Sequence, residues 1–265
     1  MIKIELNNKF WQYEPSNRIG KPGGFGEVYK GIDEKGEMVA IKKIHQHVIQ
    51  EAHREINIVS ILMKHHYNNI INIHDAGKDT FSGTYYIIMD LAEMNLSEHI
   101  GKTGFLNEQQ SLLVILDIAN GLKEADNIIH RDIKPENILY HNNSWKLADF
   151  GIARAQDAAT SINTLNSWMS EQYAAPEQWK GLRATKTTDV YSLGCVCYYI
   201  LTGNPPFINP NIALRDQHLY YAPREIKNIS TQLHSLITNM LNKGQQERPN
   251  IETVVIYINR ITSVR

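Results

Sequence analysis

Cysteine is nearly absent from the chain, at two in 265 residues. That excludes a disulfide-stapled secreted miniprotein and suits a reducing compartment. Nor is there an excess of one charge. Lys and Arg total 27 against 28 Asp and Glu, a formal net charge of -1, so bulk electrostatics gives no reason to expect a nucleic acid or an anionic membrane as partner. Long hydrophobic runs are missing too. The longest apolar stretch, Val190 to Leu201, is interrupted by Ser192 and Gly194 and falls well short of the ~20 apolar residues that cross a bilayer. The N-terminus, MIKIELNNKFWQ, lacks a basic segment followed by an apolar one, so no export signal is read there and the chain is expected in the cytoplasm. No internal repeat or low-complexity linker interrupts it. What remains is an ordinary globular composition, 42% hydrophobic and 21% charged. Its length calls for one large bilobed domain or two small ones.

Up to about residue 90, short β-like runs alternate with turn signals around one helical stretch. Glu27 to Ile32 and Met38 to Lys43 read as antiparallel neighbours, joined by Asp33-Glu34-Lys35-Gly36, whose glycine supplies the positive φ a hairpin loop needs. Tyr85 to Met89 is the most apolar of the runs. Beyond residue 95 the period becomes helical. Asn107 caps a helix with Gln110 at the third position, followed by Leu112, Ile115, Leu116, Ala119 and Leu122. Further helical patterns cover Asp189 to Leu201, Ser230 to Leu241 and Ile251 to Ile261. The expectation is a small β-rich lobe followed by a larger helical one.

Three features of the first lobe carry chemistry. Gly20, Gly23 and Gly26 lie between two β-like runs, where glycine lets backbone N–H groups approach phosphate oxygens; alone, they suit a flexible hairpin tip equally well. Lys42 closes the apolar run Val39-Ala40-Ile41, a costly place for an ammonium unless it meets an anion or snorkels at a sheet edge. On the helix from Val48 to Met63, at ~100° per residue, Glu55 falls among Ile49, Ala52, Ile56, Val59 and Leu62. Ile58 and Ile61 lie on the other side, so the apolar face is imperfect and a solvated Glu55 is the rival reading. A carboxylate on the core face needs a cation, and the pattern predicts a Lys42–Glu55 ion pair.

The strongest local signal is His130-Arg131-Asp132-Ile133-Lys134-Pro135-Glu136-Asn137, followed by Asp149-Phe150-Gly151, then Ala175-Pro176-Glu177, Asp189 and Arg248-Pro249. Together with the glycines, Lys42 and Glu55, this ordered set resembles the eukaryotic-type protein kinase family, in its serine/threonine subclass, over most of the chain. The resemblance implies an α+β, bilobed protein-kinase-like fold. The small antiparallel N-lobe would occupy 1–89, a hinge 90–94, and a mainly α C-lobe 95–265.

It also implies roles. Asp132 would orient the acceptor hydroxyl and take its proton; Lys134 would steady the transferring phosphoryl group. Lys42, positioned by Glu55, would hold the α- and β-phosphates of ATP, while Asn137 and Asp149 would hold Mg²⁺, with Mn²⁺ as a substitute. Adenine would lie against Ile19, Val28, Ala40 and Leu139, its edge paired by backbone groups of Asp90 and Ala92, with Met89 as gatekeeper. Gly20, Gly23 and Gly26 would cover the phosphates. His130, Phe150 and Val59 would form the family's regulatory stack. Arg131 would pair with a phosphate in the activation segment, for which Thr160, Ser161, Thr164, Ser167 and Ser170 supply hydroxyls.

Two departures stand out. The family's first loop glycine is Lys21 here, unless Gly20 serves through an insertion that includes Pro22, which stiffens the loop and removes an N–H. Serine also replaces the family's threonine at Ser170, keeping the hydroxyl. The expected partner is a protein with a Ser or Thr acceptor, with self-association for autophosphorylation. A catalytically silent binding module and a small-molecule kinase are the alternatives; Ala175-Pro176-Glu177, Ser170 and Arg248 favour a protein acceptor because they resemble parts that shape a peptide-docking surface. Cys195 and Cys197 point some 200° apart on a helix and read as core, not as metal ligands. No cysteine or carboxylate spacing joins His45, His47, His65 and His66 into a ligand set.

Overall fold

A computed structural model describes residues 1–20, 26–45, 49–150, 154–155 and 170–263. Its N-terminal part is a six-stranded antiparallel sheet in the order β1-β2-β3-β4-β6-β5. The strands are β1 (Ile2–Leu6), β2 (Lys9–Ile19), β3 (Gly26–Ile32), β4 (Met38–Ile44), β5 (Ile73–Lys78) and β6 (Tyr85–Asp90), and helix α1 (Ile49–Leu62) lies between β4 and β5 in sequence.

The period of two along β4 and β6 assigns two apolar clusters to the two faces of the sheet. Val39, Ile41, Tyr86 and Ile88 join Ile4, Leu6, Trp11, Tyr13 and Tyr29 on one face. Ala40, Ile44, Ile87 and Met89 join Val59 and Ala148 on the other. The hairpin of β3 and β4 forms as the sequence predicts. Gly36 takes φ 85°, and the Asp33 carboxylate accepts the N–H groups of Lys35 and Glu37, which closes the turn.

The β1–β2 hairpin is not foreseen by the sequence reading. It turns through Asn7 and Asn8, both at positive φ, a conformation that Asn adopts more readily than most residues. Beyond pairing with β2, β1 reaches across to the far end of the sheet. Glu5 N–H donates to Asp79 Oδ1 at 2.8 Å, Thr80 Oγ1 donates to Glu5 Oε2 at 2.7 Å, and Asn7 Nδ2 donates to Asp75 Oδ1 at 2.7 Å. The first strand therefore ties β2 to the segment around β5 and covers the face away from α1.

The C-terminal part is mainly helical. After β7 (Met94–Asn95) come α2 (Leu96–Thr103), α3 (Glu108–Glu124), β8 (Ile128–Ile129), β9 (Ile138–His141), β10 (Ser144–Leu147), β11 (Arg154–Ala155), α4 (Pro176–Trp179), α5 (Lys186–Thr202), α6 (Leu214–Tyr220), α7 (Thr231–Met240) and α8 (Ile251–Ser263). Asn107 caps α3 reciprocally with Gln110, as the spacing predicts. The helix containing Asp189 begins earlier than expected, at Lys186, because Thr185 and Thr188 form its first turn. Helix α5 is buried almost all round, with Val190, Leu193, Val196 and Ile200 at the centre of the C-terminal core. Cys195 and Cys197 are fully buried there, as core residues.

Candidate active site

Lys42 stands on β4 with Val28 of β3 and Ile87 of β6 as its neighbours in register. Its face of the sheet looks towards α1, and Nζ meets Glu55 Oε1 at 2.6 Å and Asp149 Oδ1 at 2.6 Å. Both Lys42 and Glu55 are buried, so the predicted pair exists and the solvated reading of Glu55 is excluded. Burial opposes the charge on Lys42, but the Asp149 and Glu55 carboxylates outweigh it and raise the ammonium above the ordinary lysine value. Burial likewise works against ionised Asp149, yet Lys42 holds that carboxyl below its usual range. Glu55, the deeper acid, is raised by burial despite Lys42.

From Glu55 onward, the apolar face of α1 differs from the expected one at Ile58; the side chains of Ile49 and Ala52 lie outside the described residues. Ile58 is buried, packing into the C-terminal cluster with Leu62, whereas Ile61 is exposed. The helix has two apolar neighbours, the sheet and the C-terminal part, which a single-face pattern does not describe.

The segment from His130 to Asn137 is held from beneath. Asp189, buried at the start of α5, accepts the His130 N–H at 2.8 Å and the Arg131 N–H at 2.7 Å. Its carboxyl is pushed up to about 7 by burial, against the lowering effect of those two donors. Gln178 adds a third tie, donating to the Arg131 carbonyl at 3.0 Å. Arg131 and Asp149 both have positive φ, at 70° and 62°. Such backbone persists where surrounding bonds over-determine it, and the Asp189 clamp is one such restraint.

His130 and Phe150 stack with ring centroids 4.5 Å apart. The imidazole lies 3.1 Å from the Ala148 carbonyl through Nε2 and 3.4 Å from the Asp132 N–H through Nδ1. A neutral ring with its proton on Nε2 satisfies both contacts, and burial holds His130 below its ordinary value. Val59, the expected third member of the stack, packs instead with Ala40, Ile44 and Ala148. Phe150 shares the cluster of Ile58 and Leu62.

Asp132 carries the asymmetry that matters most. Oδ2 accepts from Asn137 Nδ2 at 3.0 Å and lies 2.8 Å from Lys134 Nζ. Oδ1 is buried and has no hydrogen-bond partner among the described residues. Lys134 Nζ also donates to Ser170 Oγ at 2.8 Å, which links this segment to the one preceding Ala175. Asn137 commits its amide nitrogen to Asp132, through both the backbone oxygen and Oδ2. Its carbonyl oxygen, like the partly exposed Asp149 carboxylate, is an oxygen donor of the kind a hard divalent cation takes.

With this geometry established, comparison with known proteins is decisive. A family model described as protein kinase domain matches residues 13–257. The chain belongs to the protein kinase domain family. Among its relatives, the "Serine/threonine-protein kinase PrkC" of Bacillus subtilis is 33% identical over 244 residues, covering 88% of this chain and 37% of that protein. The "Probable serine/threonine-protein kinase nek2" of Dictyostelium discoideum is 33% identical over 263 residues, covering 93% and 62%. The "Serine/threonine-protein kinase PknB" of Mycobacterium leprae is 31% identical over 256 residues, covering 89% and 40%. The chain thus spans less than two thirds of the length of these relatives.

Within this kinase domain, four of the residues expected around adenine gather in one apolar cluster: Ala40 and Met89, with Val28 and Leu139 packed against it. Ile19 ends β2 opposite Val28, and Gly20 follows it. Asp90 ends β6, and Ala92 lies in the connection to β7. Gly26 has a second reason to be glycine. A Cβ there would sit 2.3 Å from the Lys43 carbonyl oxygen of β4, so the close approach of the two strands itself requires glycine. Arg248 acts from within the fold. It is buried, and donates to both Glu177 oxygens at 2.7 and 2.8 Å, supporting the Ala175-Pro176-Glu177 segment from inside. Lys21, Pro22, Gly23, Gly151, Thr160, Ser161, Thr164 and Ser167 lie outside the described residues. The Asp189 clamp had a signal in the sequence, a lone acid inside an apolar helix; Gln178 had none.

Proposed function

We propose that this kinase domain transfers the γ-phosphoryl group of ATP to serine or threonine hydroxyls of proteins. The observation that carries the reading is the Asp132 carboxylate. One oxygen is fixed by Asn137 and Lys134, and the other is buried without a hydrogen-bond partner among the described residues. An acceptor hydroxyl at Oδ1 gives up its proton there as its oxygen bonds to the γ-phosphorus and the bond to the bridging oxygen of ADP breaks. Lys134, between Asp132 and Ser170, supplies a positive charge beside the transferring group and ties it to the segment that faces an acceptor.

Lys42, oriented by Glu55, serves the α- and β-phosphates, and Asn137 and Asp149 serve Mg²⁺. The ion, when bound, neutralises phosphate oxygens and favours an in-line geometry. The division at work is 1–89 for the nucleotide-holding lobe, 90–94 for the hinge and 95–265 for the lobe that presents Asp132. No helix among the described residues is long and apolar enough to cross a membrane, and we place the domain in the cytoplasm, in signalling, with Ser and Thr residues of the 160–170 segment as its own substrates through self-association.

Incubation with Mg²⁺ and γ-labelled ATP, beside Asp132→Asn and Asp149→Asn, tests the reading. Label on Ser or Thr of the wild type, lost in both variants, is the expected result. No label together with no nucleotide-induced thermal shift would replace it with a silent binding module.

A further inference from the structure

Behind the connection from β6 to β7, one carboxylate stands between two histidines that belong to different parts of the fold. Side chains alternate along β6; Met89 packs into the cluster with Ala40, so Asp90 turns to the opposite side. Its Oδ1 lies 2.7 Å from His74 Nε2 on β5, and its Oδ2 lies 3.3 Å from His141 Nε2 at the end of β9. The Asp90 N–H donates to the Asn72 carbonyl at 3.0 Å. His74 belongs to the N-terminal sheet and His141 to the C-terminal part, so Asp90 bridges the two around the 90–94 connection.

Charged and aromatic groups surround the two imidazoles. Glu93 Oε1 lies 3.9 Å from His141 Nδ1, a buried nitrogen that makes no hydrogen bond among the described residues. The Trp11 ring flanks His74 at 6.5 Å between centroids. Asp75, the next residue on β5, is already engaged by Trp11 Nε1 and Asn7 Nδ2 and does not compete. Burial acts to raise the Asp90 carboxyl, but the His74 hydrogen bond and the ring charges outweigh it and hold the group ionised. Imidazole is the side chain whose ordinary charge change falls between about pH 5 and pH 8. Both rings are partly exposed, at 34% and 17%, so protons reach them.

We infer that His74 and His141 are positioning residues: protonated, they ion-pair both oxygens of Asp90, clamp the 90–94 connection and strengthen adenine binding. The inference rests on the nucleotide-binding reading above, in which the Asp90 backbone pairs with the adenine edge. A neutral ring donates one N–H to the carboxylate; a charged ring adds Coulomb attraction, and at His141 it adds an Nδ1–H facing Glu93. A backbone held in its bound geometry loses less freedom when the ligand arrives, and that difference appears as affinity.

Adenosine is the suitable probe because it has no phosphate to titrate in the relevant range. Its dissociation constant is measured from about pH 5.5 to about pH 8.5 for the wild type, His74→Gln, His141→Gln, the double variant and Asp90→Asn, with circular dichroism melts confirming that each is folded. The wild type is expected to bind adenosine about fivefold more tightly at the acid end, and the double variant and Asp90→Asn to bind with the weaker constant at every pH. Each single variant should retain part of the slope. A flat wild-type profile, or a slope that survives in the double variant, overturns the inference. ATP with Mg²⁺, measured in parallel, separates the two levels: ATP binding beside a flat adenosine profile overturns the clamp alone, and binding of neither overturns the nucleotide reading together with it.

Discussion

Lys42 Nζ, on a strand of the N-terminal sheet, reaches Asp149 Oδ1 of the C-terminal part at 2.6 Å. The same ammonium meets Glu55 at the same distance. One cation therefore joins three elements distant in sequence, and two carboxylates depend on it. Removing either partner of a buried pair strands a charge, at a cost of about 3 to 5 kcal/mol. Lys42→Met is accordingly expected to destabilise the domain by about 3 kcal/mol and to lower phosphoryl transfer by about 10²-fold or more. Adding Glu55→Gln should recover part of the stability without recovering activity. Urea denaturation and initial rates report the two separately, and a double variant no more stable than the single one would count against the stranded-charge account.

Ser170 keeps the hydroxyl that Lys134 uses, at 2.8 Å. Ser170→Ala leaves Lys134 with Asp132 as its partner, and kcat should fall about tenfold, the value of one charge-assisted hydrogen bond. Ser170→Thr keeps the donor–acceptor geometry and should retain near wild-type turnover. Equal rates for the alanine and threonine variants would remove Ser170 from the mechanism.

The Glu177–Arg248 pair sets an acid limit on stability. Burial alone would raise the Glu177 carboxyl, but two bonds from Arg248 and one from the Thr188 hydroxyl hold it below the ordinary value. With the folded value below the unfolded one, the pair's contribution is present above about pH 4.3 and is lost as pH falls through the folded value. Glu177→Gln is expected to cost about 3 kcal/mol at pH 7 and to flatten the loss of stability below about pH 5. Denaturation midpoints at neutral and acid pH check both, and an unchanged acid slope would place the acid sensitivity elsewhere.

The β1–β2 hairpin covers one face of the N-terminal sheet with Ile4 and Leu6, both buried. Deleting residues 1–8 uncovers Trp11, Tyr13 and Ile88 and removes the Glu5 bonds to Asp79 and Thr80. At about 2 kcal/mol for each buried aliphatic side chain, the deletion should lower the melting temperature by about 10 °C, and Leu6→Ala should cost about 3 kcal/mol. A calorimetric scan of the deletion variant with an unchanged midpoint would show the strand to be dispensable.

Much of the site was legible before the structure. The Lys42–Glu55 pair followed from one argument: a cation ending an apolar strand and an acid inside an apolar helix face each need a partner. The cap at Asn107 and the Gly36 turn were legible because they depend on residues a few positions apart. Ile58 was misassigned because α1 packs against both the sheet and the C-terminal part, and a helical period records how apolar a face is without saying what it touches. His74 and His141 carried no signal, since nothing in their spacing joins them to Asp90.

By itself the sequence determined which residue types exist for the chemistry, in which order, and which local turns and helices present them. Local propensity and periodicity act over a few residues, so they can be read along the chain. The tertiary structure alone decided that β1 ties the sheet at both ends, that Asp189 holds the backbone of His130 and Arg131, that Arg248 supports Glu177 from inside, and that Asp90 stands between two histidines. Those relationships are set by which surfaces must be buried together, and that is a property of the whole packed chain.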